Sequence, residues 1–91
     1  MVDALYWTGY AITMATEHSL RTFAARLRHT RLQRGYGVRE LERALAKQGT
    51  SLTASAISAL ENERNDNPGM KTVEALAVAL SVDPGWLAFG E

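Results

Sequence analysis

The sequence predicts an all-α domain of five helices that follows a short N-terminal extension. Three observations support this fold class. Beyond residue 20, apolar residues recur at intervals of three and four, as on the buried face of a helix. Glycine, proline and asparagine separate these runs and mark turns. The 91 residues, 46% of them hydrophobic, suffice for one small core.

The N-terminal extension, residues 1–18, differs in character from the helical domain, residues 19–91. Its first 13 residues, MVDALYWTGYAIT, are rich in aromatic and β-branched side chains, which favours a strand-like arm or no regular structure, and Met14 opens a more ordinary sequence. So large an apolar load predicts packing on the domain or, preferably, across a dimer, because a lone strand needs a partner. The alternatives are a disordered arm, or a stretch upstream of a true start at Met14.

Helix 1 begins after Ser19 or Thr22, since either residue can act as the N-cap. Gly35 ends it. The apolar residues on one face of this helix are Leu20, Phe23, Ala24 and Leu27.

Helices 2 and 3 form the centre of the domain. Helix 2 spans about 38–48, with Leu41 and Leu45 four residues apart and Gly49 at its end. The polar segment TSLT leads to helix 3, about 54–62. The buried positions of helix 3 are Ile57 and Leu60.

Two further helices complete the domain after the break NDNPG. Helix 4 spans about 70–80, and helix 5 begins after Asp83, with Pro84 at its first position. The residues that helix 4 buries are Val73, Leu76, Ala77 and Leu80.

The formal net charge is zero, so composition alone does not indicate a nucleic-acid partner. The distribution is uneven, because the segment 20–35 holds five arginines and no acid, whereas residues 36–91 hold five basic and eight acidic side chains. The arginines are Arg21, Arg26, Arg28, Arg31 and Arg34. A strongly positive helix 1 favours a nucleic-acid partner, unless these side chains merely solvate its outer face.

Several function classes are disfavoured. Without cysteine the chain has no disulfide, thiolate zinc site or cysteine nucleophile, which fits a reducing cytoplasm. His18 and His29 have no carboxylate spaced to complete a metal site, and no serine lies in a nucleophile signature. No apolar run approaches the roughly 18 residues of a membrane span. We therefore expect a soluble, cytoplasmic protein that is not an enzyme and uses no metal or cofactor.

Three blocks of sequence resemble the Cro and phage-repressor type of helix-turn-helix regulators, called XRE-like. They are LRHTRLQRGYGVREL, SAISALEN and NPGMKTVEALAVALSVDPGWL, in the family's order and at nearly its separations. The resemblance covers about residues 23–90 and implies a lambda-repressor-like domain of five helices. It also implies a transcriptional regulator that binds double-stranded DNA with helix 3 in the major groove.

The resemblance implies three groups of functional residues. The base-facing positions of helix 3 are Thr53, Ala54, Ser55, Ser58 and Ala59. The residues placed near backbone phosphates are Asn62, Arg64, Asn65, Asn67 and Lys71. Arg31 and Glu61 correspond to an ion pair that ties helix 1 to helix 3. The unbonded N–H groups after Thr53 would also favour a phosphate.

The chain departs from the family pattern at four places. Leu41 and Ile57 are 16 residues apart, about five more than is usual in the family, so either helix 2 or the turn is longer. Val38 stands where the family commonly has glutamine, Glu42 where it has alanine, and Glu63 where it has glycine.

Two functions from different classes follow. A DNA-binding regulator is expected to be a homodimer, because one short helix reads too few base pairs for useful specificity. Small side chains on helix 3 imply that it recognises DNA shape more than base edges. The alternative is a protein-interaction module, such as a partner-binding antitoxin, that keeps the fold with weak or no DNA binding. Zero net charge, Val38 and the alanine-rich helix 3 favour this alternative.

Overall fold

The structure is a computed structural model that describes residues 20–62 and 68–90. Within these ranges the chain forms five helices and no strand: α1 (Phe23–Gln33), α2 (Val38–Lys47), α3 (Ala54–Glu61), α4 (Met70–Leu80) and α5 (Pro84–Phe89). The all-α class and the helices predicted from the sequence are confirmed. The extension, residues 1–18, lies outside the described residues.

Side chains that accept hydrogen bonds from the first turn fix where three helices begin. The Thr22 hydroxyl accepts from the Ala25 N–H at 3.1 Å, so Thr22 is the N-cap of α1. Thr53 accepts in the same way from Ala56 at the start of α3, also at 3.1 Å. The Asp83 carboxylate accepts from the Trp86 N–H at 2.8 Å and caps α5.

Left-handed residues end the first two helices. Gly35 has φ +76°, and the N–H groups of Gly35 and Tyr36 donate to the carbonyls of Leu32 and Arg31. This is a Schellman motif, which needs a residue that tolerates positive φ. Gly49, with φ +84°, ends α2 in the same way.

The core lies between all five helices. The packed pairs are α1 with α3 and α5, α2 with α3 and α4, and α4 with α5. Its buried hydrophobic side chains are Leu27, Leu41, Leu45, Ile57, Leu60, Val73, Leu76, Ala77, Leu80 and Leu87. Each helix contributes at least one of them, so burial of these side chains sets how α2 and α3 are presented at the surface.

In the part of the chain that the structure describes, no helix has both the length and the apolar character that crossing a membrane requires.

Candidate nucleic-acid interface

Helices α2 and α3 pack against each other and are joined by the six residues 48–53. A helix-turn-helix unit commonly has a turn of three to four residues. With six residues, the turn is two or three residues longer than usual, which accounts for about half of the additional interval between Leu41 and Ile57.

The beginning of α3 is occupied by protein groups. Thr53 accepts from the Ala56 N–H, and Glu42 Oε1, on α2, accepts from the Ala54 N–H at 3.1 Å. The expectation that unbonded N–H groups after Thr53 attract a phosphate is therefore corrected. Two of those groups are already bonded, and the Glu42 carboxylate takes the favourable place for negative charge at a helix N-terminus.

The five residues expected to face bases differ in exposure. Thr53 and Ser55 are exposed, whereas Ala54, Ser58 and Ala59 are half-buried. Of these five residues, the exposed ones thus present two hydroxyl groups, and none of the five has a long polar side chain. Hydroxyls can pair with several bases, so this surface offers little discrimination between base pairs.

Three of the five residues expected near phosphates, Arg64, Asn65 and Asn67, lie outside the described residues. Lys71 is exposed in the first turn of α4. Asn62 is also exposed, but its Nδ2 donates to the Ser58 carbonyl at 2.8 Å and completes the last turn of α3.

Arg31 and Glu61 form a bidentate ion pair between α1 and α3. Arg31 Nε donates to Glu61 Oε2 at 2.6 Å, and Arg31 Nη2 donates to Glu61 Oε1 at 2.9 Å. Only 11% of the Arg31 side chain and 6% of the Glu61 side chain are exposed. The hydrogen bond from Arg31 to Glu61 raises the pKa of the Arg31 guanidinium, so Arg31 stays charged throughout the physiological range.

Helix α1 is less available to nucleic acid than its charge indicates. Arg26 is 4% exposed, and its guanidinium donates to the carbonyls of Leu20, Leu87 and Ala88 at 2.7 to 2.9 Å. Arg34 Nε donates to the Leu80 carbonyl at 2.8 Å, at the end of α4. Because Arg31 is paired with Glu61, three of the five arginines in this segment are bonded to groups within the domain. The interpretation of α1 as a basic surface for nucleic acid is corrected accordingly.

The structure instead brings two other arginines next to α3. Arg39 and Arg43, both exposed on α2, line a shallow depression of about 470 Å³ together with Glu42, Thr53 and Ser55. Sequence reasoning missed these two residues. Their spacing of four, offset from the buried Leu41 and Leu45, was a signal that they share an outward face of α2.

Across the described ranges, no three histidine, cysteine, aspartate or glutamate side chains come close enough to hold a metal ion. No family model, curated protein or solved structure matches this chain.

Proposed function

We propose that this domain is a DNA-binding transcriptional regulator, similar to the Cro and phage-repressor type, that places the N-terminal half of α3 in the major groove. One observation carries the proposal. Thr53 and Ser55 are exposed at the beginning of α3, beside α2, while Ile57 and Leu60 hold the other face of the helix in the core. Helix-turn-helix proteins use this arrangement to bring the beginning of a helix to base edges.

In this proposal the protein makes few contacts with bases and binds mainly through attraction between its cations and the DNA phosphates. Thr53 and Ser55 are the exposed polar residues at the beginning of α3, and alanine can contact only a thymine methyl group. Exposed cations such as Arg39, Arg43 and Lys71 supply the attraction to phosphates, which holds the register without reading sequence. Discrimination between sites then depends on the shape and flexibility of the duplex.

The proposed active species is a homodimer. A single helix of eight residues contacts too few base pairs for useful specificity, whereas two copies read two half-sites about one helical turn apart. A dimer also doubles the phosphate contacts and with them the salt dependence of binding.

The test is a titration of labelled duplexes at about 50 and 200 mM salt with wild type and a Ser55→Glu variant. Ser55→Glu puts a carboxylate on the exposed surface of α3, so we expect binding to weaken by about ten-fold or more. Val78→Glu is the matched control, since residue 78 is 66% exposed on α4. Equal affinities of the two variants would argue against α3 as the contact helix.

A protein-interaction module is the second candidate, favoured by one specific observation. The Glu42 carboxylate occupies the beginning of α3, where a DNA-binding domain gains from positive potential. A folded wild-type protein that binds no duplex at low salt would overturn the DNA proposal and support this candidate.

A further inference from the structure

Two exposed arginines line the depression between α2 and the beginning of α3. Arg39 and Arg43 are exposed, and neither forms an ion pair or donates a side-chain hydrogen bond to any residue in 20–62 or 68–90. This contrasts with Arg26, Arg31 and Arg34, which bind carbonyls or a carboxylate within the fold.

The spacing of the two arginines suits a polyanion. Residues four apart on a helix have Cβ atoms about 6 Å from each other, so both guanidiniums reach the same short stretch of a ligand. Guanidinium binds phosphate oxygens in a bidentate manner and is weakly hydrated, which makes arginine effective at phosphate recognition.

Glu42 lies between these arginines in sequence and lines the same depression. Its Oε1 is bonded to the Ala54 N–H, which fixes the carboxylate at the beginning of α3. A phosphate in the depression is therefore repelled from the α3 N-terminus and attracted to the outer side, where the guanidiniums are.

We propose that this depression holds the DNA backbone, with Arg39 and Arg43 neutralising phosphates and Glu42 setting their position by excluding them from the α3 N-terminus. The inference rests on the proposed DNA-binding function and assigns its phosphate contacts to α2. It makes Glu42 a residue that limits affinity, because its charge opposes the ligand's.

The first test compares Arg39→Ala and Arg43→Ala with wild type in duplex titrations from about 50 to 200 mM salt. Each variant should weaken binding to all sequences alike, by about five-fold at the lower salt, and reduce the log–log salt slope by about 0.9 per phosphate lost. Arg28→Ala is the matched control, because Arg28 is an exposed arginine on α1 that lines a different depression.

The second test is Glu42→Gln, which removes the charge and keeps an amide oxygen to accept from the Ala54 N–H. Binding should tighten by about three-fold or more at low salt, and the gain should shrink at higher salt as screening increases. A thermal melt of each variant confirms that it is folded.

The outcomes separate the two proposals. If wild type binds no duplex, both are overturned. If it binds and Arg39→Ala and Arg43→Ala equal Arg28→Ala, the DNA function stands and this assignment is overturned. If poly-glutamate of matched charge binds as tightly as duplex and loses affinity in the same two variants, the depression is a site for acidic protein segments, and the assignment is again overturned.

Discussion

At the residue scale, the ion pair between Arg31 and Glu61 joins α1 to α3. Both side chains are almost fully buried, so losing one leaves the other as an uncompensated charge. Breaking a buried pair in this way costs about 3–5 kcal/mol, whereas an exposed pair contributes under about 1 kcal/mol.

We therefore expect Glu61→Ala to lower the free energy of unfolding by about 3 kcal/mol, measured by urea denaturation. Glu74→Ala on the exposed face of α4 is the control, and it should change stability by less than about 0.5 kcal/mol. Superimposable denaturation curves for Glu61→Ala and wild type would show that the pair contributes nothing to stability.

The backbone conformation of Ser81 affects the stability of the protein. It ends α4 with φ +59°, and among the described residues it is the non-glycine with positive φ. The left-handed conformation costs an L-residue roughly 1–2 kcal/mol. This cost is larger than the free energy that glycine loses on folding because its unfolded chain is more flexible, about 0.5–1 kcal/mol.

Replacing Ser81 by glycine should accordingly raise the free energy of unfolding by up to about 1 kcal/mol. Thermal unfolding measures this, with Ser51→Gly as the control, because Ser51 is exposed in a turn and has negative φ. The control should be neutral or slightly destabilising. Destabilisation by Ser81→Gly would mean that the serine makes a compensating contribution.

At the element scale, Arg26 holds α5 against α1. Its three donors satisfy the carbonyls of Leu20, Leu87 and Ala88, and the last two belong to the C-terminal turn of α5, a helix of six residues. Burial lowers the pKa of the Arg26 guanidinium, but arginine remains charged at neutral pH and complements the negative end of the helix dipole.

Arg26→Lys should destabilise the protein by about 2–3 kcal/mol, because an ammonium cannot reach three carbonyls in the same fixed geometry. Hydrogen exchange should accelerate most in α5. Arg28→Lys, two residues away and exposed, is the control and should leave both measurements unchanged. Uniformly faster exchange in all helices would contradict a specific role in holding α5.

The helices were predictable from sequence because the signals that begin and end them are local. Thr22, Thr53 and Asp83 bond to N–H groups three residues later, and Gly35 and Gly49 end helices through their own backbone conformation. Sequence did not decide whether Ser19 or Thr22 caps α1, since both residue types are suitable.

The functions of Arg26 and Arg34 were not predictable, because their partners are distant in the chain. Arg26 binds carbonyls 61 and 62 residues away, and Arg34 binds one 46 residues away. The helical period predicts the face on which such a charged side chain lies, but it does not predict which residues pack beside it. For the same reason the sequence did not predict that Arg39 and Arg43 lie next to α3, since their position depends on how α2 packs.

At the scale of the whole molecule, the proposed homodimer needs a surface through which two copies of the chain associate. The described helices bury a set of apolar side chains that runs from Ala24 to Leu87, so residues 20–62 and 68–90 form a core with one another. Those residues, which lie outside the described ranges, include Leu5, Tyr6, Trp7 and Tyr10. Apolar residues of this number in one short segment commonly mark a contact surface.

A chain that begins at Met14 should therefore remain folded, with a melting temperature close to that of the full chain, but fall from dimer to monomer in sedimentation equilibrium. Duplex affinity should drop, because a monomer contacts one half-site and about half as many phosphates. A full-length Trp7→Ser variant separates loss of apolar contact from loss of chain length, and it should shift the mass in the same direction. If the shortened chain keeps both its dimeric mass and its affinity, dimerisation must depend on residues after Met14, and the extension takes no part in assembly.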